Sequence, residues 1–295
     1  MCMKEKTIYA LGFFDGVHLG HQALVQACRT LADRLGCRTG VVTFRSHPDT
    51  LVTGNAPGLI NTTEDRRQLL TDMGIDAVIE LPFNQQLMTM PWQDFFRLLL
   101  TKYNAAGLVC GHDFRFGNRG EGNAALLQKA CLAADIPCTV VPEQTIDGIT
   151  VSSTYIRTLL ETGEMGEAVR FLGHPHILTG TVVSGQHLGR TLGIPTANLT
   201  FPEGLTLPRL GVYACTALVD SHTYVAVTNI GSRPTVDGDH ITVESWLLDF
   251  EGDLYGKHLM LAFHKFLRPE KKFPTLDALK AQVQSDAAEA FQLLR

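Results

Sequence analysis

The chain has 295 residues, of which 45% are hydrophobic and 19% charged. This composition is typical of a globular protein, and the length predicts two domains better than a single core. The 25 basic and 30 acidic residues give a net charge of −5, and no block of Lys and Arg stands out along the chain. The sequence therefore indicates no nucleic-acid-binding surface.

Cysteine usage and the N-terminus both indicate a cytoplasmic protein. Seven cysteines are an odd number, they contain no CxxC pair, and most lie within apolar stretches. This predicts reduced thiols and argues against a disulfide framework or a zinc site. The first residues form only a short apolar stretch, broken by Gly12 and followed by Asp15. Neither a signal peptide nor a membrane-spanning helix is predicted, so no membrane partner is expected.

From residue 7 to about 142, short apolar runs alternate with segments of helical periodicity. The segments in chain order are IYALGFF, HQALVQACRTLADRL, RTGVVTF, TEDRRQLLTDMG, DAVIEL, PWQDFFRLLLTKYN, GLVCG, EGNAALLQKACLAAD and CTVV. Repeated strand–helix units predict a parallel sheet with helices on both faces. Ligands of such sheets bind beyond the carboxyl ends of the strands.

The pattern changes near residue 177, after two short helices predicted in SSTYIRTLLETGEMGEAVRFLG. Short strands separated by Gly and Pro turns then follow one another, which predicts a closed or nearly closed antiparallel barrel. Thr275 is predicted to cap a final amphipathic helix. Its apolar stripe is Leu276, Leu279, Val283, Ala287, Ala290 and Leu294. The break at 173–175 predicts domains of residues 1–173 and 174–295.

The segment GFFDGVHLGHQALV brings two histidines to the first turn of a helix. Free N–H groups and the helix dipole make that turn an anion site, and His18 and His21 are three residues apart, which places them on one face. Two imidazoles there can donate hydrogen bonds to phosphate oxygens. A pair of surface histidines that caps the helix is about as consistent with the sequence. A metal site would need a third ligand, and none is evident nearby.

A second phosphate-binding pattern lies in VSSTYIR. Ser152, Ser153 and Thr154 carry hydroxyl groups at a helix start, and Arg157 follows one turn later, where its guanidinium can grip a phosphate. Taken alone, the segment fits simple helix capping with a solvated arginine better.

Two loops carry polar residues whose roles the sequence leaves open. Asp113, Arg115 and Arg119 lie in a glycine-rich loop that also fits an exposed charged turn. Residues 180–199 contain glycines that allow a close approach of main chain to phosphate, but such loops are common in all-β domains. Thr196 and Asn198 can join a Mg²⁺–phosphate shell, although each fits a turn residue that satisfies its own backbone.

Glu244 is the unusual residue of the predicted strand HITVESWLLDF. Strand alternation places it on the same face as three large apolar residues, Trp246, Leu248 and Phe250. A carboxylate in that position costs stability unless it is paired or functional. A structural ion pair and a functional role explain it equally well.

Several ordered motifs together resemble those of a known family. The histidine pair is similar to the HxGH motif of nucleotidylyltransferases. More narrowly, GFFDGVHLGH, TFRSHP, GHDFRFGNRGEG and VSSTYIR resemble the bacterial bifunctional riboflavin kinase/FAD synthetases. The segments PTAN, GVYA, NIGSRPT, LYG and FLRPEKKF resemble the riboflavin kinase module of that family. The resemblance implies an α/β Rossmann-like nucleotidylyltransferase domain followed by a small antiparallel Greek-key β-barrel with a closing helix.

The resemblance also implies substrates and roles. The barrel is expected to convert riboflavin and ATP to FMN, with Mg²⁺ as cofactor, and the first domain to convert FMN and ATP to FAD. All expected partners are therefore small molecules. Glu244 is the implied catalytic base, and His18 and His21 are the implied catalytic residues of adenylyl transfer. The implied nucleotide- and phosphate-binding residues are Gly12, Phe13, Ser152, Ser153, Thr154, Arg157, Gly185, Gly189 and Arg190.

The remaining implied residues form the pocket and the metal site. His47, Asp113, Arg115 and Arg119 are expected to wall the flavin and ATP pocket, and Thr196 and Asn198 to hold Mg·ATP. The chain departs from the family at Arg45 and Ser46, where an acidic residue and a proline are usual. That departure favours an enzyme of narrower scope as an alternative. A non-enzymatic flavin-binding protein is a second alternative, against which Glu244, Thr196 and both histidines argue.

Overall fold

The computed structural model describes residues 5–185, 189, 193–235 and 238–295. The chain divides into two compact units, and each is described by itself below. The first unit consists of Met1–Leu59 and Arg66–Ser153, and the second of Ile60–Asp65 and Thr154–Arg295.

The first unit is built on a five-stranded sheet in which all neighbouring strands are parallel. The strand order is β3-β2-β1-β4-β7. The central strand β1 is buried along its whole length, as a parallel strand covered on both faces requires. The strands are β1 Thr7–Leu11, β2 Arg38–Phe44, β3 Ala77–Leu81, β4 Ala105–Gly111 and β7 Cys138–Val141.

Each face of this sheet has its own hydrophobic core. Ile8 and Ala10 of β1 join a cluster that includes Val25 of helix α1, whereas Tyr9 and Leu11 join another with helices α5 and α6. The predicted sheet with helices on both faces is thus confirmed. The helices are α1 Leu19–Leu35, α2 Asp49–Val52, α3 Thr63–Asp72, α4 Gln85–Met88, α5 Trp92–Thr101 and α6 Ala124–Ala133.

Two small hairpins complete the first unit. They are formed by β5 Arg115–Phe116 with β6 Gly122–Asn123, and by β8 Thr145–Ile146 with β9 Ile149–Thr150. A single 3₁₀ turn, Asn118–Gly120, connects β5 to β6.

The second unit contains a closed antiparallel barrel, which confirms the predicted architecture. Its strands follow the order β10-β11-β14-β13-β12-β15 around the barrel. They are β10 His176–Val183, β11 Ala197–Thr200, β12 Gly211–Val219, β13 His222–Thr235, β14 Gly238–Leu247 and β15 His258–Arg268. Two helices precede them, α7 Ser153–Thr162 and α8 Met165–Leu172.

The final helix, α9 Leu276–Leu294, packs against β12 and β13. The Thr275 side chain accepts a hydrogen bond from the Ala278 N–H at 3.2 Å, so the predicted cap is confirmed. Ala287 and Ala290 are buried against the barrel. The predicted stripe is wrong at Leu276, which is 52% exposed. As the first helical residue, Leu276 lies one turn before the stretch of α9 that packs on the barrel.

The described residues contain free cysteines and no candidate membrane-spanning helix. Six cysteines are described and all are free, among them the fully buried Cys28, whose pKa burial raises to about 11. Among the same residues, no helix is both long enough and apolar enough to cross a membrane.

Candidate active sites

The first candidate site lies where the strand order of the first unit's sheet reverses. The chain moves from β1 to β2 and β3 on one side and then returns to place β4 on the other side of β1. Ligands of such sheets bind at this switch point, beyond the carboxyl ends of the strands. The motifs GFFDGVHLGH, TFRSHP and GHDFRFG follow β1, β2 and β4, so three adjacent parallel strands bring them to one edge of the sheet.

The loop after β1 has a strained main chain. Phe14 and Val17 have positive φ angles of 60° and 42°, and Gly16 between them has 83°. A β-branched residue in that region is an outlier, and such strain persists where the surrounding packing enforces it. Phe14 and Val17 are fully buried, so the core holds this loop in shape. The loop begins at Gly12 and Phe13 and leads directly to His18.

The two histidines stack at the start of α1. Their ring centroids are 3.7 Å apart with an interplanar angle of 18°, so they share one face as their spacing predicts. His18 is the N-cap of the helix, and its Nδ1 accepts a hydrogen bond from the His21 N–H at 3.4 Å. The His18 ring therefore carries its proton on Nε2 when it is neutral. His18 is 7% exposed, so the alternative of a surface pair is wrong even though the capping is real.

His21 is held in its neutral form. Burial lowers its pKa well below the usual value, and the neighbouring His18 and the Arg66 charge lower it further. Its Nδ1 atom is buried and has no hydrogen-bond partner in the described part of the chain. A buried polar atom without a partner costs stability, which makes a purely structural role a poor explanation of this residue.

The start of α7 is tied to the same loop. Ser153 donates a hydrogen bond from its hydroxyl to the Asp15 carbonyl oxygen at 2.8 Å. Its neighbour Ser152 also belongs to the first unit, whereas Thr154 and Arg157 belong to the second. Arg157 is 9% exposed, which excludes the solvated arginine that the sequence alone favoured.

The predicted flavin-pocket residues fall into two groups. His47 contacts the Phe13 ring edge-on at a centroid distance of 4.8 Å, and its Nδ1 accepts a hydrogen bond from the Asp49 N–H at 3.2 Å. Asp113, Arg115 and Arg119 are exposed on the loop after β4. The structure therefore joins His47 to the loop of Phe13, while the other three side chains stay solvated.

The second candidate site is a cavity of about 240 Å³ in the barrel unit. The predicted residues Gly189, Thr196, Asn198 and Glu244 all line it, so the structure brings them together. Its apolar wall includes Val227, Trp246, Leu279 and Val283, the last two from α9.

Strand register explains why these polar groups converge. Glu244 on β14 pairs with Asn198 of β11 on one side and with Asn229 of β13 on the other. Directly opposed residues share a face, so three polar side chains form a row across the barrel wall. Trp246, two residues after Glu244, lines the same cavity, as predicted.

The predicted face is wrong at Phe250. Strand β14 ends at Leu247, and Asp249 has a positive φ of 59°, so the alternation does not continue. Phe250 instead lines a separate cavity of about 90 Å³ with Ser245 and Leu247.

Thr196 lies between the two cavities of the barrel, because it lines both. The smaller cavity also contains Tyr255. Two glycines allow the close packing of this region. A Cβ atom at Gly185 would collide with the Asn198 side-chain amide, and one at Gly189 would collide with the Ile194 carbonyl oxygen. Arg190, the other predicted phosphate-binding residue of this loop, lies outside the described residues.

Two family models match consecutive parts of the chain. One, described as FAD synthetase, matches residues 2–155, and the other, described as riboflavin kinase, matches residues 172–294. Curated relatives named bifunctional riboflavin kinase/FMN adenylyltransferase match almost the whole length. The Listeria monocytogenes protein is 34% identical over 95% of this chain and 90% of its own. The Pseudomonas fluorescens protein is 38% identical over 96% and 91%.

The chain belongs to the bifunctional riboflavin kinase/FMN adenylyltransferase family. A solved structure from Streptococcus pneumoniae, described as a macrolide-efflux protein, has a similar fold. It gives a TM-score of 0.88 at 30% identity and covers 97% of this chain and 94% of its own. The similarity to that structure concerns the fold of both units.

Three residues of these sites were not predicted individually, namely Arg66, Arg268 and Asn229, although the last two lie in the family motifs FLRPEKKF and NIGSRPT. Arg66 is fully buried beside Phe13, but in DRRQLL it is indistinguishable from an ordinary helical arginine. Arg268 forms hydrogen bonds through Nε and one terminal nitrogen to Asp286 of α9, at 2.7 to 3.0 Å, and both residues line the larger cavity. Asn229 lies in the recognised motif NIGSRPT, but only the strand register shows that it is the neighbour of Glu244.

Proposed function

We propose that this protein makes FAD from riboflavin in two steps that use separate sites. Residues 174–295 phosphorylate riboflavin with ATP to FMN and ADP. Residues 1–173 transfer AMP from a second ATP to FMN and release pyrophosphate. The observation that carries this proposal is that one chain matches the FAD synthetase and the riboflavin kinase families in succession.

In the barrel, Glu244 is the proposed general base. The 5′-hydroxyl of the ribityl chain attacks the γ-phosphorus of ATP, its proton passes to the Glu244 carboxylate, and ADP leaves. Asn198 and Asn229 flank Glu244 in the strand register, and all three residues line the larger cavity. The apolar surfaces of Trp246, Leu279 and Val283 suit the flat, largely apolar isoalloxazine ring, so riboflavin is assigned to the larger cavity.

The nucleotide is assigned to the smaller cavity beside Phe250 and Tyr255. Thr196 borders both cavities, so the transferred phosphate would pass this residue. Gly185, Gly189 and Arg190 are the proposed phosphate-binding residues of the adjoining loop. The Thr196 hydroxyl and the Asn198 amide oxygen are hard, uncharged ligands that fit Mg²⁺ shared with phosphate oxygens. When bound, Mg²⁺ would offset the negative charge that develops on those oxygens.

In the parallel-sheet domain, the FMN phosphate attacks the α-phosphorus of ATP. This nucleophile is already ionised, so the site needs charge stabilisation more than a base. His18 and His21 lie at the N-terminus of α1, where main-chain N–H groups favour anions, and Gly12 and Phe13 lie in the loop that leads to it. The further proposed phosphate contacts come from Ser152, Ser153, Thr154 and Arg157. His47, Asp113, Arg115 and Arg119 are the proposed walls of the flavin and ATP pocket.

Small molecules are the proposed partners, and neither nucleic acid nor a membrane is needed by this chemistry. A cytoplasmic location fits because both reactions consume ATP.

The test measures both half-reactions on one preparation. Riboflavin, ATP and Mg²⁺ are incubated with the protein and the flavins are separated by chromatography, and FMN replaces riboflavin in a second incubation. Parental protein should make FMN and then FAD. Glu244→Gln should lower riboflavin phosphorylation by about 10² or more and keep FAD synthesis from FMN. His21→Ala should do the reverse, with a loss of about 10² to 10³.

The exposed Glu251, outside both barrel cavities, supplies the matched control. Glu251→Gln should keep both activities. Parental protein that makes neither flavin would refute the proposed function. Unchanged riboflavin phosphorylation by Glu244→Gln would refute the role of that residue alone.

A further inference from the structure

Arg66 is an arginine in the interior of the first unit. It lies in the first half of α3, is 1% exposed, and is the largest side chain among the fully buried residues that the structure describes. Burial of a guanidinium is costly unless its donors are satisfied by well-placed acceptors. The contacts of the Arg66 guanidinium therefore indicate its role.

The guanidinium of Arg66 connects the ends of two adjacent strands. One terminal nitrogen donates to the Phe13 carbonyl oxygen at 3.0 Å and the other to the Phe44 carbonyl oxygen at 2.6 Å. Phe13 belongs to the loop after β1, and Phe44 is the last residue of β2. The Phe13 carbonyl also accepts a hydrogen bond from the Thr43 hydroxyl at 2.7 Å, so its position is fixed from two sides.

The same guanidinium also fixes a ring. Its central carbon lies 4.8 Å from the centroid of the Phe13 ring, the geometry of a cation–π contact. Phe13 also contacts His47, whose ring meets it edge-on at a centroid distance of 4.8 Å. Arg66, Phe13 and His47 thus form one chain of contacts that links the loop after β1 to the loop after β2.

This chain of contacts adjoins the histidine pair. The loop that Arg66 holds runs from Phe13 to His18, the N-cap of α1. The positive charge of Arg66 also contributes to the lowered pKa of His21, after the larger effects of burial and of His18. Arg66 therefore acts on the same loop through hydrogen bonds, ring contact and charge.

We infer that Arg66 is a positioning residue for adenylyl transfer, which sets the loop of the histidine pair against the loop of His47. The inference rests on the proposed function, because it assumes that both loops serve FMN and ATP. A planar fork with fixed donor directions can span two carbonyl groups and stack on a ring at once, whereas an ammonium group is a single point of charge. Arg66 acts through Phe13 and His47 and does not contact the FMN phosphate or the α-phosphorus of ATP.

The decisive variant is Arg66→Lys, which keeps the charge and removes the fork. We expect kcat/KM for FMN adenylylation to fall about 10²-fold, because misplacement of a site by about 1 Å has that effect. Riboflavin phosphorylation by the same preparation should stay at the parental value and so report that the chain is folded. The matched control is Arg97→Lys, since Arg97 lies in the same unit and pairs with Asp94 on the surface of α5, where ion pairs contribute little.

A merely structural arginine gives a different result. It would lower the melting temperature and leave kcat and KM for FMN unchanged when assayed well below that temperature, and this outcome would overturn the inference. Arg66→Ala adds a second measurement, in which millimolar guanidinium should restore part of the lost rate if the protein is soluble. If Arg66→Ala is insoluble, Arg66→Lys decides alone. Parental protein that forms no FAD from FMN would refute the proposed function instead, so the two failures are distinguishable.

Discussion

The His18 side chain combines two contacts that are separable by mutation. Its Nδ1 caps α1 by accepting the His21 N–H, and its ring stacks on the His21 ring. His18→Ala removes both, and loss of the cap should cost about 1 kcal/mol of stability. His18→Asn keeps an oxygen that can cap the helix but has no imidazole. We expect the Asn variant to regain thermal stability relative to the Ala variant and to stay about 10²-fold or more below parental FAD synthesis.

Melting curves and FAD formation from FMN, measured on both His18 variants, check this. Riboflavin phosphorylation is the internal control, since that reaction is assigned to the other domain. Recovery of FAD synthesis by His18→Asn would mean that His18 serves as a cap and nothing more.

His176 should make the barrel sensitive to acid. It is 1% exposed, neither ring nitrogen has a hydrogen-bond partner in the described part of the chain, and burial lowers its pKa to about 3, with His174 as a smaller cause. An unfolded histidine has a pKa of about 6.5. Between these values the unfolded state binds a proton that the folded state does not, so stability is fully present above pH about 6.5 and decreases as the pH falls toward 3.

From pH 7 to 5.5 this histidine alone should cost about 1 kcal/mol. The chain has two tryptophans, so in a Trp92→Phe background the fluorescence of Trp246 reports barrel unfolding. His176→Leu should reduce the fall in melting temperature over this pH range, whereas the same change at the exposed His222 should not. An unaltered pH dependence in His176→Leu would show that another group governs it.

The adjacent residues Arg66 and Arg67 show what sequence reasoning can and cannot reach at this scale. The two have the same chemistry and follow each other in one helix, yet one is fully buried and the other is half-exposed beside Glu80. Helix phase separates them, but the acceptors of Arg66 are carbonyl groups on the loops after β1 and β2, which no local pattern encodes. His18 and Glu244 could be singled out because their spacing and strand position carry local signals, and the family resemblance supplied their predicted roles.

At the scale of elements, strand and helix interiors follow their patterns and their ends do not. Alternation along β14 correctly groups Glu244 with Trp246, but the turn at Asp249 ends it before Phe250. The stripe of α9 is right at Ala287 and Ala290 and wrong at its first residue. Periodicity reports which face is buried, whereas the point at which packing stops depends on the length of the partner element.

The closing helix α9 should depend on one buried carboxylate. Asp286 is 3% exposed and accepts hydrogen bonds from Arg268 and from the Gln282 amide. Asp286→Ala would leave the largely buried Arg268 charge without this partner, which typically costs about 3 kcal/mol or more. Both residues line the larger cavity, so KM for riboflavin should rise as well.

The control for Asp286 lies on the same helix. Glu289 is half-exposed and 4.0 Å from Lys265, a surface pair that should contribute less than about 1 kcal/mol. Denaturant unfolding followed through Trp246 compares the two Ala variants. Equal stabilities would contradict the anchoring role of the Arg268–Asp286 pair.

At the scale of the whole molecule, the two architectures were predictable because strand–helix alternation and closely spaced strands have different periods. The boundary between the two units was harder to predict from the sequence. The short segment Ile60–Asp65 is grouped with the barrel unit, where the Asn61 amide donates to the Ile177 carbonyl oxygen and the Thr179 hydroxyl donates to Asp65. Hydrogen bonds between residues more than a hundred positions apart leave no trace in local composition.

The barrel should be active as an isolated fragment. Fragments that start at different residues test which of two domain boundaries is correct. Helix α8 contacts β10 and β15, and its residues Met165, Ala168 and Phe171 are buried within the barrel unit. Burial of one large apolar side chain is worth about 1.5 to 3 kcal/mol. A fragment of residues 154–295 should therefore be more stable, by at least about 3 kcal/mol, than one of residues 172–295, which lacks all three side chains. Both should convert riboflavin to FMN and make no FAD, since neither contains His18 or His21. Denaturant unfolding and the two flavin assays on both fragments test this, and equal stability would favour the boundary at residue 173 that the sequence predicts.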